Sequence, residues 1–158
     1  MQIIKVDPSN QHIYMNLAQA YEAEFSKIMQ KKPDENGLFP LDTVLGGNVS
    51  GYLLYVDGAP AGHTAIAKQE NDLFEVCDFY VVPYFRKNKV GKRFITQLFK
   101  KLGGSWEIKQ VAGAEHAVNF WRDVIGDYTN GSYCEDSYQD EKWGMVTRQA
   151  FSHPTSRD

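Results

Sequence analysis

Two clusters of charge lie end to end in the middle of this chain. Glu70, Asp72, Glu75 and Asp78 crowd one stretch, and Arg86, Lys87, Lys89, Lys92, Arg93, Lys100 and Lys101 follow across residues 86–101 with no acid among them. Such a division offers a home for one anion and one cation. The basic half begins where the apolar run of residues 78–82, DFYVV, gives way to Pro83, a short loop and a helical pattern. A strand that runs through a loop into a helix start presents several unpaired backbone N–H groups to one point, and the helix macrodipole adds partial positive charge there. Phosphate binds such a place well. Gly91 lets a ligand approach the backbone, and Arg86, Lys87, Lys89 and Lys92 each add a charge-assisted hydrogen bond of roughly 1.5–3 kcal/mol where desolvated. A diphosphate fits that description, and so does an ordinary solvated lysine face on an amphipathic helix. Neither G-x-x-x-x-G-K-[ST] nor G-x-G-x-x-G occurs, which argues against a Walker-type nucleotide site.

The elements that must position these residues follow from period and punctuation. Residues 2–6, QIIKV, read as a strand, and Asp7, Ser9 or Asn10 offers an N-cap for a helix to about residue 30, with Ile13, Leu17, Tyr21 and Ile28 near helical spacing. The Gly-, Pro-, Asn- and Asp-rich segment that follows reads as loop with room for one short helix. YLLYV and AGHTAIAKQ flank Asp57-Gly58, a strong hairpin signal between apolar runs. LFEVCDFYVV is a third strand, stopped by Pro83. Val90, Phe94, Ile95, Leu98, Phe99 and Leu102 then form one face of a helix ending at Gly103-Gly104. WEIKQV reads as a strand, EHAVNFWRDVIG as a helix with Ala117, Phe120, Trp121, Val124 and Ile125 on one side, and KWGMVTRQAF as one or two closing strands. The pattern predicts an α+β fold with α/β-type layers: a mixed sheet with helices on both faces.

The 158 residues, 42% hydrophobic and 13% aromatic, suit one globular domain over residues 1–158, the last residues from about 152 being a tail. MQIIKVDPSN lacks the pattern of a signal peptide, and no apolar run approaches the roughly 18 residues of a membrane span, so a cytoplasmic protein without membrane contact is expected. A net charge of -3 argues against nucleic-acid binding. Cys77 and Cys134 are expected to be thiols, because they are too few for a disulfide framework and lack any C-x-x-C spacing. His12, His63, His116 and His153 lack metal-ligand spacing; no metal site is expected, and each reads as a surface or satisfied histidine. Trp106, Trp121 and Trp143 are expected in the core.

VVPYFRKNKVGK, from Val81 to Lys92, resembles the acetyl-coenzyme A signature of the GNAT N-acetyltransferase superfamily, V-x-P-x-x-[QR]-x-x-G-x-[GA]. AVNFW, from Ala117 to Trp121, resembles that family's second helix motif, A-x-x-F-[YW], and the FWR-VI run is similar to a bacterial branch of it. The order of elements agrees from residue 2 to about 150. The resemblance implies a mostly antiparallel central sheet that splays at the cofactor site. It implies that the amides of Lys87, Asn88, Lys89, Val90, Gly91 and Lys92 hold the diphosphate of acetyl-coenzyme A, with Arg86 opening the loop. It also implies that Val81 pairs its backbone with the pantetheine arm and directs an N–H toward the acetyl carbonyl, where attack on the thioester develops negative charge. The chain departs from the family at three places. Lys89 stands where the first glycine of the loop is usual, at a cost of roughly 1–2 kcal/mol if that position needs positive φ. Ala114 stands where an asparagine often contacts the cofactor, and Trp121 replaces the tyrosine that protonates the departing thiolate in many relatives.

An N-acetyltransferase acting by direct attack needs a base, because freeing an alkylamine of pKa near 10.4 near neutral pH costs about 4 kcal/mol. Glu75 lies 11 residues before Arg86, a spacing at which some relatives place a catalytic glutamate, while Asp78 falls on the opposite face by strand alternation. Glu75 is preferred. Tyr128, Tyr133 and Tyr138 are read as packing residues that could supply a proton or line the acceptor cleft, and Glu22, Glu24, Asp34 and Glu35 as a solvated face that could rim it. The expected acceptor is a small-molecule or peptide amine carrying positive charge, and the reading admits a homodimer. The alternative, given the missing tyrosine and asparagine, is a catalytically weak acyl-coenzyme A binder or regulator.

Overall fold

A computed structural model describes residues 1–153. Its elements are β1 (Gln2–Lys5), α1 (Gln11–Met29), β2 (Val49–Val56), β3 (Ala59–Lys68), β4 (Leu73–Val81), α2 (Val90–Leu102), β5 (Ser105–Val111), α3 (Glu115–Thr129), β6 (Cys134–Asp140) and β7 (Gly144–Ser152). The strands form a seven-stranded sheet in the order β1-β2-β3-β4-β5-β7-β6. The β4–β5 pair is parallel, and β1–β2, β2–β3, β5–β7 and β6–β7 are antiparallel, so the sheet is mixed and mostly antiparallel as the sequence predicts. Among the described residues no helix is long and apolar enough to cross a membrane.

The chain divides into two compact units, each built from two stretches: residues 1–67 with 77–94, and residues 68–76 with 95–158. In the first unit, Asp57 and Gly58 both take positive φ (51° and 78°), the geometry that lets a two-residue turn follow the strand twist and register β2 on β3. Helix α1 buries Tyr14, Ala18 and Glu22, a stripe at four-residue spacing that packs on Leu53 and Ala65. The expected Ile13 and Leu17 pack against the same cluster from the flank, whereas Ile28 is exposed. Asn10 ends the approach to α1 without a side-chain cap; its Oδ1 accepts from the Asp7 N–H instead. Residues 31–48 contain no helix. Gln19 holds this loop to α1 by donating to the Phe39 carbonyl (3.0 Å) and accepting from the Phe39 N–H (2.8 Å), and Asp34 folds back to accept from the amides of Asn36 and Leu38.

In the second unit, Phe99 of α2 sits against Trp106, Tyr128 and Phe151, with Phe74 stacked on Trp106. Strand β5 pairs with the first residues of β4, Leu73 to Val76. Gly103 and Gly104 end α2 in left-handed backbone, and a Cβ on Gly104 would fall 2.4 Å from the Asp72 carbonyl oxygen. The closing segment forms two strands. Trp106 and Trp121 are core, whereas Trp143 is half-buried with the Lys142 ammonium over its ring. Strand β7 runs through Ser152, and His153 donates its N–H to the Gly104 carbonyl, so the expected tail does not begin at residue 152; residues 154–158 lie outside those described.

Candidate functional site

Local backbone shapes the basic loop first. After Val81 the chain makes a short turn over Pro83–Phe85, and Asn88 and Lys89 then both adopt left-handed conformation, with φ of 54° and 55°. Asparagine tolerates this region; lysine there costs roughly 1–2 kcal/mol, so strain is stored where the sequence lacks its glycine. The turn is closed by the Val90 N–H on the Lys87 carbonyl (3.2 Å) and the Arg93 N–H on the Lys89 carbonyl (3.0 Å). Among the described residues, no backbone carbonyl accepts from the amides of Asn88, Lys89 or Gly91. These donors at the start of a 13-residue helix form a ready anion cradle. Lys87 lies 5.0 Å from the centre of the exposed Tyr84 ring.

Arg86 makes contacts that its position in the motif does not reveal. Its Nε donates to the Val81 carbonyl at 2.7 Å, and its two terminal nitrogens fork onto the Glu24 carboxylate at 2.7 and 2.6 Å. The guanidinium also lies 5.5 Å from the centre of the Tyr80 ring. Its charge is therefore matched by Glu24 of α1, a partner that its expected role at the diphosphate did not include. The end of β4 is gripped from the other side as well: Val82 donates to the Ala61 carbonyl at 2.8 Å, and a Cβ on Gly62 would stand 2.4 Å from the Tyr80 carbonyl oxygen. Only glycine at position 62 allows that approach.

Behind this strand end the first unit gathers ionisable groups. Lys31 donates to Glu22 (2.9 Å), to the Pro40 carbonyl (3.1 Å) and to Asp42. Glu22, expected on a solvated face, is buried because Lys31 matches its charge. Asp78 is pushed up to about 6, chiefly by burial; a hydrogen bond with Thr43 opposes the shift, the Glu22 and Asp42 charges add to it, and Lys31 opposes it. The phenols of Tyr14 and Tyr21 are pushed up by burial and then by the Asp78 charge. His63 is 0% exposed, edge-on to Tyr14 at 4.8 Å and to Tyr21 at 5.8 Å, with neither ring nitrogen bonded; burial lowers it to about 4 and keeps it neutral. It is thus neither a surface nor a satisfied histidine.

Strict alternation fails in this part of β4. Cys77 packs with the Tyr14 cluster and Tyr80 faces His63 and Tyr21, yet Phe79 lies against Phe94 of α2. The break brings Asp78, with Cys77, to the side of Tyr14 and Tyr21, which simple alternation does not foresee. Glu75 belongs to the second unit, where its carboxylate pairs with Lys109 at 3.2 Å. Of the remaining candidates, Glu24 holds Arg86, Asp34 closes a turn and Glu35 is exposed. Tyr128 packs on Phe99 and reaches His153, and Tyr138 lies under Arg148. Sequence reasoning missed Lys31, Asp42, Thr43, His63 and Tyr80; only the alternation of AGHTAIAKQ marked His63 as able to face inward.

A family model described as acetyltransferase (GNAT) family matches residues 14–126. A search of curated proteins found no match. Among solved structures, an aminoglycoside 6'-N-acetyltransferase complexed with coenzyme A is similar at a TM-score of 0.67 and 13% identity, covering 100% of both chains. The ribosomal-protein-S18-alanine N-acetyltransferase from Escherichia coli aligns at 0.63 and 12% identity, covering 98% of this chain and 96% of that one. A Bacillus subtilis acetyltransferase in complex with CoA aligns at 0.61 and 11% identity, covering 97% and 99%. At these identities the likeness is one of fold.

Proposed function

The chain belongs to the acetyltransferase (GNAT) family, and from that premise we propose that it moves the acetyl group of acetyl-coenzyme A to a primary amine by direct attack. The observation that carries this reading is a succession within one unit: Asp78, then Val81, then the left-handed turn at Asn88 and Lys89 that opens α2. Of the expected amides of residues 87–92, those of Asn88, Lys89 and Gly91 suit a diphosphate, because among the described residues they have no carbonyl partner and lie at a positive helix end, whereas the Lys87 N–H is bonded to the Phe85 carbonyl and the Val90 N–H to the Lys87 carbonyl. Lys87, Lys89 and Lys92 supply charge, which Arg86, committed to Glu24, does not. Acetyl-coenzyme A would bring an acyl group activated as a thioester. The N–H of Val81 would donate to its carbonyl oxygen, a preorganised donor aimed where charge grows.

Asp78 is the better base. Held at about 6, it is ionised at neutral pH yet far more basic than an ordinary carboxylate, which suits proton transfer from an ammonium. Glu75, the base preferred on spacing, is paired with Lys109 at 3.2 Å. With Glu22 and Asp42 nearby, the site carries more acid than Lys31 offsets and favours a cationic acceptor. Solved enzymes of similar fold are named for an aminoglycoside and for a ribosomal-protein alanine, both of which present amines. The test is release of free thiol from acetyl-coenzyme A across a panel of polyamines, aminoglycosides, amino acids and peptides. Amine-dependent release is expected; tight coenzyme A binding with no release for any amine would leave an acyl-coenzyme A-binding protein.

A further inference from the structure

Resting on that reading, we propose that Glu24 and Arg86 form a positioning clamp: the guanidinium, locked onto α1, orients the Val81 peptide for the acetyl carbonyl and takes no part in holding the diphosphate. Three observations converge on it. Among the described residues, the polar contacts of the Arg86 side chain go to Glu24 and to the Val81 carbonyl, at 2.6–2.7 Å, and its guanidinium lies over the ring of Tyr80, the residue before Val81. The peptide joining Val81 to Val82 is therefore fixed at both ends, with its carbonyl on Arg86 and its N–H on Ala61 at 2.8 Å. Pinning that peptide fixes ψ of Val81. The peptide before it is confined as well, since the Tyr80 carbonyl oxygen and the Val81 Cα lie so close against Gly62 that a Cβ there would meet them at 2.4 and 3.2 Å. The direction of the Val81 N–H is then set on both sides.

The pair is not explained by stability. Arg86 and Glu24 side chains are 42% and 37% exposed, and an ion pair so wetted contributes little to folding. Geometry is what it supplies, because a planar fork with a third donor in fixed directions holds the carboxylate through two parallel bonds and the carbonyl through another. A lysine ammonium has enough donors but no rigid plane, so it does not fix the orientation of the two acceptors relative to each other. A clamp that ties α1 to the strand end also makes the orientation of the oxyanion donor depend on the helix that carries Glu22, two residues before Glu24 and on the Asp78 side.

The test uses the full chain, with Arg86→Lys and Glu24→Gln, thermal melts as a check of folding, calorimetry with coenzyme A, and steady-state rates with the best amine of the panel. The clamp predicts that kcat falls at least tenfold in both variants while the Kd for coenzyme A stays within twofold and its salt dependence is unchanged. If Arg86→Lys weakens coenzyme A binding tenfold and Glu24→Gln does not, Arg86 is a diphosphate ligand and the proposal is wrong. Unchanged kcat in both also overturns it. Should wild type release no thiol with any amine, the transfer reading fails by itself. The clamp is then judged by the Val81 amide resonance, whose shift between coenzyme A and acetyl-coenzyme A must occur in wild type and vanish in both variants.

Discussion

On the proposed reading, Asp78 carries most of the chemistry that single residues decide. Because it must be ionised to accept a proton, kcat/KM should fall as pH drops through about 6. Asp78→Asn should lose that limb and about a hundredfold or more of turnover, read from pH–rate profiles of both proteins. Glu75→Gln, which releases Lys109, should cost less than tenfold. The same residue makes a stability prediction of opposite sign. Its folded value lies above the ordinary 3.8, so the folded state binds the proton more tightly and stability from this group is lost as pH rises from about 4 to about 6. Asp78→Asn should therefore raise Tm at pH 7, the gain in unfolding free energy being at most about 3 kcal/mol for a displacement of roughly two pH units, and should change Tm little below pH 4. A melt in which the variant is less stable at pH 7 would show that the carboxylate is better solvated than its surroundings suggest.

At the scale of elements, the junctions into and beside β4 matter most. Lys89 sits at φ 55° where glycine would be unstrained. Lys89→Gly should stabilise the chain by on the order of 1 kcal/mol in thermal or denaturant unfolding and leave coenzyme A affinity within a few-fold, since the amide, not the side chain, shapes the cradle. A large loss of affinity would mean instead that the Lys89 ammonium is a principal ligand. Gly62→Ala should act in the opposite sense. Its Cβ would meet the Tyr80 carbonyl oxygen at 2.4 Å, so β3 and β4 must separate where Val82 donates to Ala61. Turnover should drop at least tenfold with a clear fall in Tm, and activity surviving intact would argue that the strand end is not a site of binding.

Across the whole molecule, charge is the property that a single substitution cannot redirect. The chain is acidic at -3 overall, yet its basic residues gather from Arg86 to Lys101 while Glu22, Asp42 and Asp78 gather near Lys31. Such a division steers an anion and a cation to different places and speeds both encounters at low salt. Polyamines or aminoglycosides should exceed neutral amines in kcat/KM, and the advantage should shrink as salt rises, because exposed charges are screened over about 10 Å at 0.1 M. Neutral or acidic acceptors that perform best at every ionic strength would reduce these carboxylates to solvated surface.

The features legible in the sequence are those set by neighbours along the chain. The Asp57-Gly58 hairpin, the apolar face from Val90 to Leu102 and its stop at Gly103-Gly104 depend on turn chemistry and on a period of 3.6 residues, and both act within a few positions. The loop before α2 belongs with them, including the strain at Lys89, since a motif of fixed spacing carries it. Only tertiary structure decided the remainder. Arg86 meets Glu24 across 62 positions, and Lys31 finds Glu22 and Asp42 only when residues 31–48 fold back along α1. Glu22 reads as solvent-facing in any hydropathy pattern, and the ammonium that allows its burial is not visible from the helix alone. Asp78 and Glu75 look interchangeable as carboxylates on one strand. The break in alternation after Cys77, the burial around Asp78 and the Lys109 beside Glu75 separate them, because a carboxylate's basicity is set by what the fold brings to it through space.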